Sequence, residues 1–191
     1  MVRMYRSSVE TPVARRSLFS LLFSLLLLLP LMLQGCSPAL NWRETRADGS
    51  GIVAMFPCKP ERHSRSVQVA GMSVRMEMLF CPADGATYAL SFFDVTDALA
   101  VTAALKDLRQ LAAAKLNVER PSVEAALVPG MTPHPLAGRV RAQGTRPDGA
   151  VLLGRTMLFL KDLRVYQAQV IGETLSDEAV ETFFSALDLP N

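Results

Sequence analysis

An uncharged, leucine-rich run near the N terminus constrains this chain more than any other stretch. The run extends from Ser17 to Leu33. The segment before it carries four arginines and one glutamate: Arg3, Arg6, Arg15, Arg16 and Glu10. A basic segment followed by an apolar stretch and small residues is the pattern of a secretory signal peptide. A transmembrane helix, the alternative, needs about 20 apolar residues, whereas this run is shorter and contains Pro30.

The apolar run ends in the tetrapeptide Leu33-Gln34-Gly35-Cys36. These four residues resemble the lipobox of bacterial lipoproteins. In that family the cysteine receives a diacylglycerol group, the chain is cut before it, and the new amine gains an acyl chain such as palmitate. The resemblance implies a signal peptide over residues 1–35, a tether over 36–40 and a lipidated Cys36. The alternative is an uncleaved anchor in which Cys36 is buried or disulfide-bonded.

The lipobox resemblance also implies a destination. Lipoproteins with aspartate after the cysteine tend to stay at the inner membrane. Here Ser37 follows Cys36, which implies the outer membrane, with the domain facing the periplasm. Two or more acyl chains hold a protein on a membrane stably, whereas one holds it only marginally. The pair Arg15-Arg16 also resembles a twin-arginine signal, which is the alternative to the general secretory route.

Removal of the signal peptide changes the charge balance of the chain. The whole chain has 20 lysines and arginines against 18 aspartates and glutamates. Cleavage before Cys36 leaves 16 basic and 17 acidic residues, a net charge of −1. A near-neutral domain has no electrostatic basis for binding nucleic acid. The remaining length is enough for one domain, residues 41–191, with its own hydrophobic core.

Two cysteines remain after Cys36, namely Cys58 and Cys81. In the oxidising compartment of an exported protein, an even pair predicts one structural disulfide. On the chain-entropy model, such a cross-link stabilises the fold by about 3 kcal/mol. A metal pair or a redox site is the alternative. The spacing is not Cys-x-x-Cys, and no histidine has the fixed short spacing that would complete a zinc motif.

Alternation of apolar and polar side chains between turn residues predicts an α+β fold with an antiparallel sheet of two meanders. The first half comprises an N-terminal hairpin of Asn41–Arg46 and Ile52–Phe56, a polar loop over Cys58–Arg62, and strands Ser66–Ala70, Ser73–Cys81 and Thr87–Val95. The second meander comprises Arg139–Gln143, Val151–Leu160 and Arg164–Ile171. Gly49 and Gly51 are expected to adopt positive φ in the hairpin turn.

Each predicted strand has a buried and a solvated face. On the strand Ser73–Cys81, Val74, Met76, Met78 and Phe80 are expected to point inward, and Arg75, Glu77 and Leu79 to point outward. In the second meander we expect Val140, Ala142, Tyr166, Ala168 and Val170 inside, and Arg139, Arg141, Gln143, Gln167 and Gln169 outside.

Two amphipathic helices are predicted to pack on the sheet. The long central helix begins after a cap at Thr96 or Asp97 and runs to about Asn117. Its apolar face comprises Val101, Leu105, Leu108, Ala112 and Leu116. A C-terminal helix begins after the capping residue Ser176, with an apolar stripe of Val180, Phe183, Phe184 and Leu187.

No catalytic or cofactor motif is present in the chain. It lacks a Gly-x-Ser-x-Gly elbow, a phosphate-binding glycine loop and a His-Glu-x-x-His zinc motif. His63 and His134 are expected to be solvated rather than ligands. The thioethers of Met55, Met72, Met76 and Met78 could ligate Cu(I), but methionines on an apolar strand face usually fill a core. We therefore predict no enzyme activity, no metal and no cofactor.

Two regions are candidates for binding. The stretch Val118–Leu136 is broken by Gly130 and four prolines, Pro121, Pro129, Pro133 and Pro135, which predicts a long loop with at most one short strand. Loops of that length in compact domains are often functional. Arg139, Arg141 and Arg155 could attract an anionic headgroup or a glycan; the alternative is an ordinary solvated sheet face.

The order of the predicted elements is a meander, a long helix, a loop, a second meander and a terminal helix. This order is similar to that of the PsbP-like superfamily, which includes DcrB-type bacterial lipoproteins. The resemblance implies a small, non-enzymatic accessory or binding domain. We expect a non-catalytic envelope lipoprotein that is held to the membrane through Cys36 and binds an envelope protein. The alternative is a module that binds an apolar or anionic small molecule between helix and sheet.

Overall fold

The computed structural model describes residues 39–114, 122–145 and 148–190. All of them belong to one compact unit, Ala39–Asn191. Within these residues the chain forms a seven-stranded antiparallel sheet, a separate two-stranded hairpin and two helices. The predicted α+β class with an antiparallel sheet is therefore confirmed.

The elements follow one another in a simple order. They are β1 (Arg43–Arg46), β2 (Val53–Phe56), β3 (Glu61–Val69), β4 (Met72–Ala83), β5 (Ala86–Asp94), α1 (Ala98–Ala114), β6 (Ser122–Glu124), β7 (Gly138–Thr145), β8 (Val151–Lys161), β9 (Arg164–Gly172) and α2 (Asp177–Ser185). The strand order in the large sheet is β3-β4-β5-β9-β8-β7-β6. The last strand, β9, pairs with β5 on one side and with β8 on the other. It therefore joins the first three strands of the sheet to the strands that follow α1.

The seven-stranded sheet is covered on both faces. The β1–β2 hairpin and α2 cover one face and enclose the hairpin-side core, which includes Phe56, Tyr88, Phe159, Tyr166 and Phe183. Helix α1 covers the other face and encloses the helix-side core, which includes Phe93, Leu105, Leu108, Leu158 and Val165. Neighbouring residues on one strand thus enter different cores, because successive side chains point to opposite faces.

Local signals determine where both helices begin. The Asp97 carboxylate accepts a hydrogen bond from the Ala100 amide at 2.9 Å, which satisfies one of the free N–H groups at a helix start. Ser176 caps α2 by accepting from the Ala179 amide at 3.2 Å. Both predicted caps are confirmed. The buried face of α1 includes the predicted Val101, Leu105, Leu108 and Ala112, whereas Leu116 and the predicted end at Asn117 lie outside the described residues.

The predicted N-terminal hairpin is present, but it forms its own sheet rather than joining the meander. Its turn uses Gly49 at φ 72° and Gly51 at φ 68°, a backbone conformation that other residues rarely adopt. The edge of Trp42, the only tryptophan of the chain, points toward the Tyr88 ring, with the ring centroids 6.0 Å apart. The hairpin therefore acts as a covering layer over the large sheet.

The first meander differs from the prediction in two places. Strand β3 begins at Glu61 rather than Ser66, so the predicted polar loop over Cys58–Arg62 is two residues shorter than expected. Leu79 was expected on the solvated face of β4 but is buried. The predicted wet face is wrong at this end of the strand, because the hairpin-side core covers it.

The second meander corrects the prediction of a single inward face. Val140 lies opposite Thr156, which lies opposite Gln169, so these side chains share the α1 side of the sheet. Tyr166, by contrast, lies opposite Phe159 in the hairpin-side core. The five residues expected inside therefore divide between the two faces of the sheet. Gln167 and Gln169 are half-buried on the α1 side instead of solvated. The cause is burial of the sheet on both faces.

Candidate functional site

The connection from β6 to β7 is the most distinctive surface feature among the described residues. It leaves β6 after Glu124 and returns to β7 at Gly138. Two hydrogen bonds fix its middle: the Leu189 amide donates to the Pro129 carbonyl at 3.0 Å, and the Thr132 amide donates to the Leu160 carbonyl at 2.8 Å. The connection therefore has a defined shape, with an outgoing limb of residues 122–128 and a return limb of residues 131–137.

The outgoing limb exposes apolar side chains at every second position. Ala126 and Val128 are buried in the hairpin-side core, whereas Val123, Ala125 and Leu127 are exposed. Leu127 is 89% exposed and Val123 is 43% exposed. The exposed row comprises Val123, Ala125 and Leu127. Because its buried neighbours anchor the limb, the exposed row is presented on a fixed backbone.

Arg109 of α1 lies at the base of the space between the two limbs. Its Nη2 donates to the Leu136 carbonyl at 2.8 Å. Its Nε is buried and has no hydrogen-bond partner within the described residues. Gly138 leaves room for this arrangement, since a Cβ there would lie 2.8 Å from the Glu124 carbonyl and 3.5 Å from Arg109 Nη2. A partly buried guanidinium is thus held beside an apolar surface.

These features together form a groove of about 430 Å³. We call it the Arg109 groove; its lining includes Arg109, the exposed row, Met131, Pro133 and His134. Glu124 also lines the groove, but its carboxylate pairs with Arg141 at 3.4 Å, because Glu124 and Val123 point to opposite faces of β6. Arg109 is therefore the principal charge in the groove.

Two hydrogen bonds orient the His134 ring. Its Nδ1 accepts from the Leu136 amide at 3.1 Å, so the ring proton lies on Nε2. Nε2 is 3.2 Å from Thr102 Oγ1, which itself donates to the Ala98 carbonyl at 3.2 Å. His134 consequently donates to Thr102 and cannot accept a proton from that hydroxyl.

The clearest electrostatic pair lies in a second cleft, of about 560 Å³, at the β8–β9 turn. Arg164 Nε and Nη2 donate to the two Asp94 carboxylate oxygens at 2.6 and 2.8 Å. The guanidinium lowers the pKa of Asp94, and the carboxylate raises the pKa of Arg164. Burial raises the pKa of Tyr166, whose hydroxyl donates to the Ser50 carbonyl. These contacts hold the hairpin turn against the sheet, so we assign them a structural role.

The cysteines predicted to pair are brought together. Cys58 and Cys81 have their Cα atoms 5.9 Å apart and their sulfurs at bonding distance, within the range that disulfides require. Cys81 is fully buried in the hairpin-side core, and Cys58 packs against it. The predicted lipidation site, Cys36, lies outside the described residues.

The arginines predicted as an anion site do lie on neighbouring strands. Arg141 on β7 is directly opposite Arg155 on β8. Acidic side chains accompany them: Arg139 bonds Glu181 at 2.7 Å, and Arg141 pairs with Glu124. Arg139 also lies over the Phe184 ring, with its Cζ 5.4 Å from the centroid. Two of the three arginines are therefore paired with carboxylates, and the Arg139–Glu181 pair attaches α2 to the sheet.

The remaining predicted residues do not converge on a metal site. Met72 and Met76 pack against the helix-side core, and Met55 lies on β2 in the separate hairpin. His63 is exposed on β3, with its ring 5.2 Å from that of Phe80. Within the described ranges, no three histidine, cysteine or acidic side chains cluster as metal ligands would.

Sequence reasoning located the groove region but missed its key residues. Helical periodicity places Arg109 off the apolar face of α1, but its position beside Leu136 depends on packing between segments 27 residues apart. Leu127 could have been found: the alternation of Val123, Ala125 and Leu127 between Pro121 and Pro129 is that of an extended segment.

None of the helices in the described part of the chain combines the length and the apolar character that a membrane crossing requires. A scan of protein-family models finds none that matches the chain, and a search of curated proteins likewise finds no match.

Proposed function

We propose that the chain is a membrane-anchored, non-catalytic lipoprotein of the bacterial envelope whose domain binds another protein. The observation that carries this proposal is the exposed row of Val123, Ala125 and Leu127 on a fixed backbone, above a filled core. A row of neighbouring exposed apolar side chains is typical of a protein interaction site. The proposed binding surface is the Arg109 groove.

The tether supports a position close to the membrane. Asn41 is the fifth residue after the proposed lipidated Cys36, and it is held by a hydrogen bond from its amide to the Pro57 carbonyl at 2.8 Å. A five-residue chain spans at most roughly 18 Å. The end of the sheet near Pro57 and Cys58 would therefore face the membrane surface, which we propose to be the outer membrane.

The Arg109 groove lies toward the opposite end of the sheet. Its return limb bonds the β8–β9 turn, where the Asp162 amide donates to Thr132 Oγ1 at 2.9 Å. Strand β9 leads from that turn to Gly172, which lies opposite Ala86 near the disulfide end. Nine residues of strand cover roughly 30 Å. In the proposed orientation the groove thus points into the periplasm, where a partner can reach it.

The chemistry of the groove supports binding rather than catalysis. His134 Nδ1 already accepts from the Leu136 amide, so Nε2 is the donor toward Thr102 and does not serve it as a base. Arg109 is held by the Leu136 carbonyl, and the rest of the lining is mainly apolar. Such a surface can recognise a chain segment, but it offers no activated nucleophile. We therefore propose a non-enzymatic accessory protein.

The architecture is also consistent with the PsbP-like superfamily. We propose that β3–β5 and β7–β9 correspond to its two meanders, α1 to its central helix and α2 to its C-terminal helix. Kinship with DcrB-type lipoproteins predicts a similar accessory role at the envelope.

The anchor is tested by membrane flotation. The wild-type chain, expressed in a Gram-negative host, should float with membranes in a density gradient and require detergent for release. Cys36→Ala should be found in the soluble periplasmic fraction instead. Unchanged flotation of Cys36→Ala would disprove the lipid anchor.

The binding surface is tested by photo-crosslinking in cells. A photoreactive phenylalanine analogue placed at position 127 should crosslink to one discrete partner. The matched control is position 151, because Val151 is also an exposed apolar residue, 44% accessible, but lies at the start of β8, away from the groove. Equal crosslinking from both positions would count against the Arg109 groove.

One observation favours small-molecule binding as a second candidate function. A cleft of about 180 Å³ lies between α1 and the sheet, where Leu108 and Met76 face Gln167 and Gln169. This cleft combines apolar walls with amide groups, as small-ligand sites do. Addition of laurate should raise the melting temperature of wild type but not of Leu108→Phe, if the cleft takes an apolar anion.

A further inference from the structure

The segment from Ser122 to Leu127 has a backbone edge that no described strand covers. β6 is the last strand of the large sheet, so one side of its backbone pairs with β7 and the other pairs with no described residue. Beyond β6, the amides and carbonyls of Ala125, Ala126 and Leu127 make no backbone hydrogen bond within the described ranges. The open edge is thus about twice as long as β6 itself.

The opposite edge of the sheet shows the contrast. β3 is also unpaired on its outer side and is nine residues long. It carries Glu61, Arg62, His63 and Arg65, and charged side chains on an edge strand prevent further pairing. Glu124 is the one charged residue of the Ser122–Leu127 edge, and its side chain points to the face opposite Val123, toward Arg141. One edge is therefore protected and the other is not.

We infer that the Ser122–Leu127 edge is the template for strand addition by an extended segment of a partner protein. The segment would have apolar side chains at alternate positions and one carboxylate that pairs with Arg109. In strand addition, backbone hydrogen bonds supply affinity and alternate side chains supply specificity. This inference rests on the proposed interaction function and names the partner's chemistry.

The groove matches such a segment in pattern and charge. Side chains at every second position of an added strand would lie beside Val123, Ala125 and Leu127, which share one face of the outgoing limb. Arg109 is the principal charge there, and a carboxylate is the complement of a guanidinium. An acyl chain could cover the exposed row, but it would leave the backbone edge unpaired, so a peptide fits the site better.

The inference is tested by selection from a random seven-residue peptide library against the full lipidated chain in nanodiscs. Enriched peptides should alternate apolar with polar residues and contain aspartate or glutamate. A synthetic copy of the enriched peptide should bind Leu127→Ser and Arg109→Met at least about tenfold more weakly than wild type. Leu127 is almost fully exposed, so Leu127→Ser keeps the fold. Arg155→Met, which lies outside the groove, is the control and should bind as wild type does.

Amide hydrogen exchange distinguishes strand addition from side-chain docking. Residues 122–127 should exchange more slowly in the peptide complex, and β3 should be unaffected. Absence of enrichment over empty nanodiscs, equal binding to Leu127→Ser, or unchanged exchange over 122–127 would each overturn the inference. Membrane flotation of the same samples is independent of these readouts, so a chain that floats but selects no peptide refutes strand addition and not the anchor.

Discussion

The Tyr166 hydroxyl donates a hydrogen bond to the Ser50 carbonyl at 2.7 Å, across 116 residues of sequence. Tyr166 belongs to the centre of the large sheet, and Ser50 belongs to the turn of the separate hairpin. Both residues are buried. This bond, together with the one from Arg164 Nη1 to the Gly49 carbonyl at 2.6 Å, joins the covering layer to the sheet.

Tyr166→Phe should destabilise the fold by about 1–3 kcal/mol, because it leaves the buried Ser50 carbonyl without a donor. Urea unfolding followed by circular dichroism measures the change. Tyr88→Phe is the matched control: Tyr88 is buried in the same core, and no described residue hydrogen-bonds its hydroxyl. It should cost under about 0.5 kcal/mol. Equal losses in the two variants would show that the Ser50 bond is unimportant.

The Asp94–Arg164 pair should make stability depend on acid pH. Because Arg164 lowers the pKa of Asp94 in the fold, the unfolded chain takes up this proton at a higher pH than the folded chain. The stabilisation is therefore complete above about pH 4, the ordinary carboxyl value, and is lost as pH falls through the depressed pKa. Asp94→Asn should reduce the slope of unfolding free energy against pH below that value.

Two further carboxylates also make the unfolding free energy depend on pH, so the Asp94→Asn variant should keep part of the slope. The Ala100 amide lowers the pKa of Asp97, and hydrogen bonds from Ser64 and Arg62 lower the pKa of Glu77. Part of the acid dependence therefore remains. Arg164→Met, which removes the partner instead, should lose the same part of the slope as Asp94→Asn. A wild-type slope in both variants would contradict the assignment.

Replacing the two cysteines of the disulfide one at a time should lower the unfolding free energy by different amounts. Cys58→Ser and Cys81→Ser both remove the cross-link, at a cost of about 3 kcal/mol on the chain-entropy model. Cys81→Ser should cost about 1–3 kcal/mol more, because it also places a hydroxyl in the hairpin-side core, whereas Cys58 is partly exposed. Unfolding of wild type with and without dithiothreitol supplies the reference, and reduced wild type should resemble Cys58→Ser.

Gly130→Ala should be among the most damaging small substitutions in the chain. Gly130 has φ 75°, and a Cβ there would lie 2.0 Å from the Leu189 carbonyl oxygen. We expect a loss of about 2–5 kcal/mol, from left-handed backbone strain and forced displacement of the neighbouring chain. The measurement is the unfolding free energy in urea.

Gly149→Ala is the control for backbone strain alone. Gly149 has φ 88°, but nothing lies within 4 Å of the added Cβ. It should cost about 1–2 kcal/mol. If both alanine variants lost the same free energy, the close approach of the groove connection to Leu189 would contribute nothing.

The parts of this fold that sequence could predict are those with local causes. Asp97 and Ser176 cap helices because their side chains bond amides three residues ahead. Gly49 and Gly51 mark a hairpin because few other residues adopt their φ. Alternation in β4 and β9 predicts strands, and the buried residues of α1 follow its helical period.

What could not be predicted depends on contacts between distant segments. Alternation shows that two faces of a strand differ, but not that both are covered, so Leu79 and Gln169 were expected to be solvated although other side chains cover them. Pairing of β5 with β9 joins residues about 80 positions apart. The candidate site has the same origin: Arg109 becomes part of a groove only because α1 packs beside Leu136.

The location of Trp42 allows unfolding of the β1–β2 hairpin and of the seven-stranded sheet to be followed by different spectroscopic signals. As the sole tryptophan, it touches the sheet through Tyr88 at the base of the hairpin. Its emission in a denaturant titration will consequently register detachment of β1–β2, whereas far-ultraviolet ellipticity registers melting of the seven paired strands. Coincident midpoints will mean that the cover and the sheet come apart in one cooperative event; an earlier fluorescence midpoint will mean that the cover lifts first.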